Sequence, residues 1–152
     1  MDLNPIHCAL AIVVPYFVAG IAQTLFLKSD LSDSFTSPLD RGAMFLGKRL
    51  FGDNKTLKGF VVMVPATTLC FWALGTFLAP LSSGSVGVWK LSVAEWTGLG
   101  FASVVGYTLG ELPNSFIKRQ LGIEPGGAPE NGVMRGLFLV IDQLDSIVCA
   151  LC

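Results

Sequence analysis

Apolar residues fall in four long stretches, at positions 6–27, 60–81, 89–109 and 133–152. Polar segments at 28–59 and 110–132 and a Ser/Gly-rich turn at 81–87 separate them. A helix rising 1.5 Å per residue needs about 20 residues to cross a hydrocarbon core of about 30 Å. Each stretch is therefore predicted as a membrane-spanning helix. Pro15 is expected to kink the first, which carries Gln23 near its far end. The second holds no charged residue, and the third starts with Lys90 and Glu95 close together. The predicted fold is all-α: residues 1–152 as one polytopic integral membrane bundle of about four spans with two polar loops.

Composition points the same way. Of 152 residues, 52% are hydrophobic and 14% charged, against about 25% charged in an ordinary soluble domain. Mean hydropathy is +0.64. The N-terminus lacks a basic stretch and an A-x-A-like cleavage site, so no cleavable leader is expected. Cys8, Cys70, Cys149 and Cys152 all lie in apolar stretches. Cys149-Ala150-Leu151-Cys152 has no second ligand pair, so these cysteines read as small apolar residues. His7, the single histidine, reads as structural or exposed.

Nine of the ten basic residues lie in or beside the segments 28–59 and 110–132, and only Lys90 lies on the other side. The positive-inside rule makes both loops cytoplasmic and puts the N-terminus outside. Gly106-x-x-x-Gly110 and Gly132-x-x-x-Gly136 are either close-packing positions on the last two helices or chance in a chain of 17 glycines.

The fourth stretch contains Asp142-Gln143-Leu144-Asp145. Carboxylates in an apolar segment are costly and mark a functional site. Three residues apart on a helix, Asp142 and Asp145 point to nearly the same side. Like charges sharing a site repel unless a cation neutralises them. Mg²⁺ suits this role, since carboxylates and substrate phosphates together complete its shell. Asp142 lies roughly 14 Å along the helix from Val133, so a wet cavity must reach it from the cytoplasm. A polar packing patch is the bland alternative.

The first loop holds Gly52-Asp53-Asn54-Lys55-Thr56 and, just beyond, Lys58. Backbone amides, ammonium groups and a hydroxyl before a helix are the parts of a phosphate cradle. A basic surface attracted to anionic lipid reads equally well. Gly42-Ala43-Met44-Phe45-Leu46-Gly47-Lys48 imitates a P-loop, but Arg49 stands where a metal-binding hydroxyl belongs and no strand precedes it. The second loop begins Gly110-Glu111-Leu112-Pro113-Asn114-Ser115, with Lys118 and Arg119 following. Glu111 is suited to a metal site and the bases to phosphate, or the group is an interfacial cluster.

The Gly-acid-Leu-x-x-Ser-Phe-x-Lys-Arg pattern at 110–119, with Asp-Gln-Leu-Asp some twenty residues on, resembles the CDP-archaeol synthase family, relatives of the CDP-diacylglycerol synthases. Pro38-Leu39-Asp40-x-Gly42 and the Gly52–Phe60 stretch resemble that family's first cytoplasmic loop. Glu111 stands where the family usually has Asp, and Leu57 where it usually has Trp. The family pattern continues with a further helix beyond the Asp-Gln-Leu-Asp span. The resemblance implies a membrane enzyme that takes CTP and a lipid phosphate to CDP-lipid and pyrophosphate with Mg²⁺. It implies a metal site of Glu111, Asp142 and Asp145, with Asp53, Asn54, Lys55, Thr56 and Lys58 at the nucleotide's phosphates. Ser115, Lys118 and Arg119 would hold phosphates or the departing pyrophosphate. CTP, a lipid phosphate and the bilayer are the expected partners; a second copy of the chain is a further one, and nucleic acid is not expected. The rival classes are a non-catalytic protein binding anionic lipid and a lipid phosphatase or phosphotransferase. The apolar stretches do not distinguish ether from ester lipids, or isoprenoid from acyl chains.

Overall fold

A computed structural model describes residues 3–81, 87–125, 127 and 131–151, with only the backbone described at 79–81, 143, 145–147 and 149–151. The chain is mostly helical: α1 (Pro5–Leu27), α2 (Leu57–Leu81), α3 (Val93–Gln120) and α4 (Gly132–Leu151). Between α1 and α2 lie a 3₁₀ turn (Asp30–Phe35) and a small antiparallel hairpin, β1 (Met44–Phe45) with β2 (Lys48–Arg49). Among the described residues, Pro5–Leu27 and Leu57–Leu78 are long and apolar enough to cross a membrane.

Local chemistry sets the helix ends. The Asn4 side chain accepts from the Ile6 and His7 amides, and Pro5 occupies the first turn, so α1 starts there. Pro15 stays inside a continuous α1. Ser92 and Glu95 form a reciprocal capping box: the Ser92 amide donates to Glu95 Oε2 at 2.7 Å, and the Glu95 amide to Ser92 Oγ at 3.3 Å. α3 therefore starts at Val93, leaving Lys90 outside it.

The far end of α3 differs from expectation. The apolar run stops at 109, yet the helix continues to Gln120. Lys118 and Arg119 in the last turn suit the negative end of the helix dipole. The Gly122 amide bonds the Arg119 carbonyl and the Ile123 amide the Lys118 carbonyl, both at 3.0 Å, with Gly122 at φ +78°. This pattern, with a glycine in the left-handed region, stops the helix. The first part of the expected polar loop is thus helical. For α4, the Asn131 side chain caps the Val133 amide at 3.0 Å.

The chain divides into two compact units. Met1–Lys28 with Val61–Val104 forms one, and Ser29–Phe60 with Val105–Cys152 the other. In the first, Cys8, Ala11, Phe71, Val88 and Trp96 form the core. α1 buries the small face of Cys8, Ala11, Pro15 and Ala19 while Ile6, Val13, Phe17 and Leu25 stay outside. Such outward apolar side chains suit lipid as the surrounding medium. A Cβ on Gly75 would lie 2.8 Å from the Trp96 Cβ, and one on Gly100 would lie 2.5 Å from the Phe71 Cβ. Each helix therefore supplies a glycine that admits the other's aromatic side chain. At Gly132 and Gly136 an added Cβ would meet nothing within 4 Å among the described residues. Among the described residues, Gly75 and Gly100 are close-packing glycines, and Gly132 and Gly136 are not.

Candidate active site

The second unit holds the polar chemistry, and Asp40 organises its first loop. The Asp40 side chain is fully buried. Arg49 Nη2 donates to it at 2.7 Å and Arg49 Nε at 3.3 Å, with the Gly42, Phe51 and Gly52 amides at 3.1, 3.1 and 3.3 Å. The Arg49 hydrogen bond, opposed by burial and helped by the three amides, holds the Asp40 carboxyl far below the usual carboxylate range. The stretch that imitated a P-loop is the hairpin itself, with Leu46 and Gly47 both at positive φ in its turn. The Leu39 amide donates to the Lys55 carbonyl at 2.8 Å, and Pro38 bridges Thr56. These contacts deliver Asn54 and Lys55 to a cavity.

The cavity has a volume of about 330 Å³. Phe51, Asn54 and Lys55 of the first loop line it, with Glu111, Asn114, Ser115, Lys118 and Arg119 of α3, Pro125 after α3, and Asp142 of α4. Because α3 is helical here, Glu111, Asn114, Ser115 and Lys118 share one face. Lys55 Nζ bonds Glu111 Oε2. Lys118 Nζ lies 2.5 and 2.6 Å from the two oxygens of Asp142, and Asn114 Nδ2 lies 2.5 Å from Oδ1. The same ammonium stands 5.5 Å from the centre of the Phe138 ring, one turn before Asp142. Ser115 Oγ donates to the Glu111 carbonyl at 2.9 Å. Arg119 is buried and donates from Nη2 to the Glu124 carbonyl at 3.1 Å. Burial pulls its guanidinium below the ordinary arginine value, while the Glu124 charge works against that. Gly52 makes room for it, since a Cβ there would lie 3.0 Å from Pro125 Cγ and 3.2 Å from Arg119 Nη1.

The structure thus brings Asn54, Lys55, Glu111, Ser115, Lys118, Arg119 and Asp142 to one cavity. Other expected site residues stand elsewhere. Asp53 is exposed and lies 3.0 Å from Arg49 Nη2. Lys58 reaches Ser32 Oγ at 3.2 Å and Asp33 at 3.4 Å. Thr56 is held in its bridge to Pro38. The Asp145 side chain lies outside the described residues, as does the Cys149–Cys152 pair. Asn114 was not among the expected site residues. Its signal was the helical spacing Glu111-x-x-Asn114-Ser115-x-x-Lys118, hidden when this stretch is taken for a loop.

Glu111 and Asp142 offer hard oxygen donors to one cavity, which fits the coordination preference of a divalent ion such as Mg²⁺. Among the described residues no three His, Cys, Asp or Glu side chains cluster at metal range. A cation would have to compete with Lys55 and Lys118 for these carboxylates.

A solved structure described as an intramembrane enzyme for archaeal membrane lipids biosynthesis matches this fold. Its TM-score is 0.59 at 26% identity, over 94% of this chain and 73% of that one. Helices long and apolar enough to cross a membrane, and a cavity of mixed carboxylates and bases, suit the class of membrane enzymes that act on phosphorylated compounds. The CarS-like, CDP-archaeol synthase, family matches residues 4–152. A CDP-archaeol synthase from Saccharolobus islandicus is 32% identical over 143 residues, 93% of this chain and 68% of that protein. One from Pyrococcus abyssi is 30% identical over 151 residues, 99% of this chain and 76% of that protein. The chain belongs to the CDP-archaeol synthase family. It is a membrane CTP-dependent cytidylyltransferase that makes a CDP-lipid. The non-catalytic and phosphatase readings give way to this one.

Proposed function

We propose that the chain transfers CMP from CTP to an ether-lipid phosphate, giving a CDP-archaeol-type product and pyrophosphate, with Mg²⁺ at the carboxylates. The names of its relatives support an ether lipid over the acyl lipid of a CDP-diacylglycerol type. The observation that carries the site is that the Lys55–Glu111 and Lys118–Asp142 pairs line one cavity. A triphosphate entering beside bare carboxylates would be repelled; here Glu111 and Asp142 each already have a cationic neighbour.

In the reaction an oxygen of the lipid phosphate forms a bond to the α-phosphorus of CTP. The bond from that phosphorus to the bridging oxygen of the pyrophosphate breaks, and its electron pair leaves with pyrophosphate. The nucleophile is already an anion, so the protein's work is to position groups and offset charge. Lys55, Lys118 and Arg119 face the phosphates, with the Asn54 amide and the Ser115 hydroxyl as neutral donors. Glu111, Asp142 and Asp145 would hold Mg²⁺, which supplies positive charge at the phosphate oxygens. Asp53, Thr56 and Lys58 would act from the loop around this set, Asp53 through Arg49. The chain would span the bilayer four times with the N-terminus outside and both polar segments cytoplasmic, a topology supported by the basic residues. Pairing with a second copy suits such a bundle.

Incubation of the purified protein with α-phosphorus-labelled CTP, Mg²⁺ and a dialkylglycerol phosphate tests this. Label is expected in the lipid product and not in pyrophosphate. No labelled lipid from folded protein would refute the reaction.

A further inference from the structure

The hairpin of the second unit ends in an apolar tip. Met44, Phe45 and Leu46 follow one another and are 64%, 48% and 84% exposed. Leu46 and Gly47 make the turn between the strands, at φ +51° and +78°. A two-residue turn of this kind favours Asn, Asp or Gly at its first position, because a Cβ is strained in the left-handed region. Leu46 therefore suits neither the turn nor water, and it packs little against the chain.

The strands divide the hairpin into two faces. Phe45 pairs with Lys48 and Met44 with Arg49, and paired residues share a face. The Phe45–Lys48 face rests on α3: the Phe45 and Phe116 ring centres are 5.6 Å apart, and Lys48 Nζ donates to the Gln120 carbonyl at 2.6 Å. The other face carries Arg49 to the buried Asp40. The hairpin is held on both faces while its tip projects beyond them. The same frame carries the active site, since Asp40 accepts from the Phe51 and Gly52 amides and α3 supplies Glu111 and Lys118.

Adjacent exposed apolar side chains beside basic ones are the chemistry of a surface that meets a membrane. Arg41 and Lys48, on either side of the tip, are exposed, and their charge complements anionic head groups. The rest of the unit suits the same surroundings. Leu137, Val140, Leu144 and Val148 stay outside along α4 at helical spacing, a stripe fitted to lipid.

We propose that the tip Met44-Phe45-Leu46 enters the head-group layer of the membrane, with Arg41 and Lys48 beside the phosphates of the bulk lipid. Through Phe116, Gln120 and Asp40 the hairpin then fixes the active-site cavity against the lipid surface. The proposal needs the membrane setting of the chain and does not depend on the reaction proposed above.

Fluorescence without turnover tests it. The full chain, Leu46→Trp and Met44→Trp are each placed in nanodiscs of phosphatidylcholine and phosphatidylglycerol, with and without bromine on the acyl chains. Subtracting the signal of the unaltered chain leaves the emission of the added indole. That emission is expected to be blue-shifted, to fall by about half or more in brominated lipid and to resist acrylamide, as for a side chain at the acyl boundary. The two variants guard against loss of folding in either one. In both variants, emission that acrylamide quenches and brominated lipid does not would overturn the proposal. A blue shift that vanishes at one chain per nanodisc would also overturn it and would mark a second copy as the partner of the tip.

Discussion

Lys118 on α3 places its ammonium 2.5 and 2.6 Å from the two carboxylate oxygens of Asp142 on α4. The pair joins the two helices and sets the charge balance of the cavity. Lys118→Met and Asp142→Asn are each expected to lower CDP-lipid formation by about 100-fold or more, the scale for removing an electrostatic contact to the transition state. The double variant should fall no further than the worse single one, because groups acting as a unit are not additive. Steady-state rates for the four proteins check this, and additive losses would show that the two residues act independently.

Asn114 is buried and holds the same Asp142 oxygen. It positions that carboxylate without itself carrying charge. If Asp142 holds Mg²⁺ as proposed, Asn114→Leu is expected to reduce kcat roughly 10–100-fold, the range seen when a supporting hydrogen bond to a metal ligand is lost. The KM for CTP should stay near that of the unaltered chain. A purely structural role would instead lower the amount of folded enzyme and leave kcat per folded molecule unchanged.

The proposed Mg²⁺ site at Glu111 and Asp142 makes divalent-ion dependence a test of the reaction. Treatment with a chelator is expected to abolish CDP-lipid formation, and added Mg²⁺ to restore it. Undiminished product after chelation would remove the metal from the mechanism.

The Asp40 carboxyl is held below its unfolded value of 3.8. A depressed carboxyl contributes stability that is full above the unfolded value and is lost as pH falls through the folded value. Asp40→Asn is expected to cost about 3 kcal/mol near neutral pH, the low end for breaking a buried pair because Arg49 is partly exposed. The gap in thermal midpoint between the two proteins should be flat at neutral pH and narrow in acid. A gap that widens as pH falls would show that Asp40 is not the group responsible.

Gly75 and Gly100 admit Trp96 and Phe71 with no room for a methyl group. Gly100→Ala is expected to destabilise the first unit by about 1–3 kcal/mol, the usual penalty for overpacking. Gly136→Ala, where nothing stands within 4 Å among the described residues, should be close to neutral. Thermal unfolding of the two variants makes the comparison.

The helices were legible because their signals are local. Apolar runs of about 20 residues name spans. Asn4-Pro5 and the Ser92–Glu95 box mark helix starts, and Gly122 marks a stop. The misplaced end of α3 has a local cause as well. Glu111, Asn114, Ser115 and Lys118 are polar, so hydropathy falls at 110 while the helical period continues to Gln120. The need for a positive partner at Asp142 was also written in the chain, since a carboxylate in an apolar helix needs a cation, here Lys118.

The partners were decided by the tertiary structure alone. Lys55 meets Glu111 across 56 positions, and Lys118 meets Asp142 across 24. Lys58, three residues after Lys55, bonds Ser32 and Asp33 instead. Nothing in composition or spacing separates these lysines, because an ammonium on a flexible stem pairs with whichever carboxylate the packed backbone brings within reach. The sequence by itself determined the helices and the kinds of charge. The burial of Asp40, the fit of Trp96 and Phe71 against glycines, and the cavity around Asp142 depend on distances between segments far apart in the chain, which exist only once the backbone has packed.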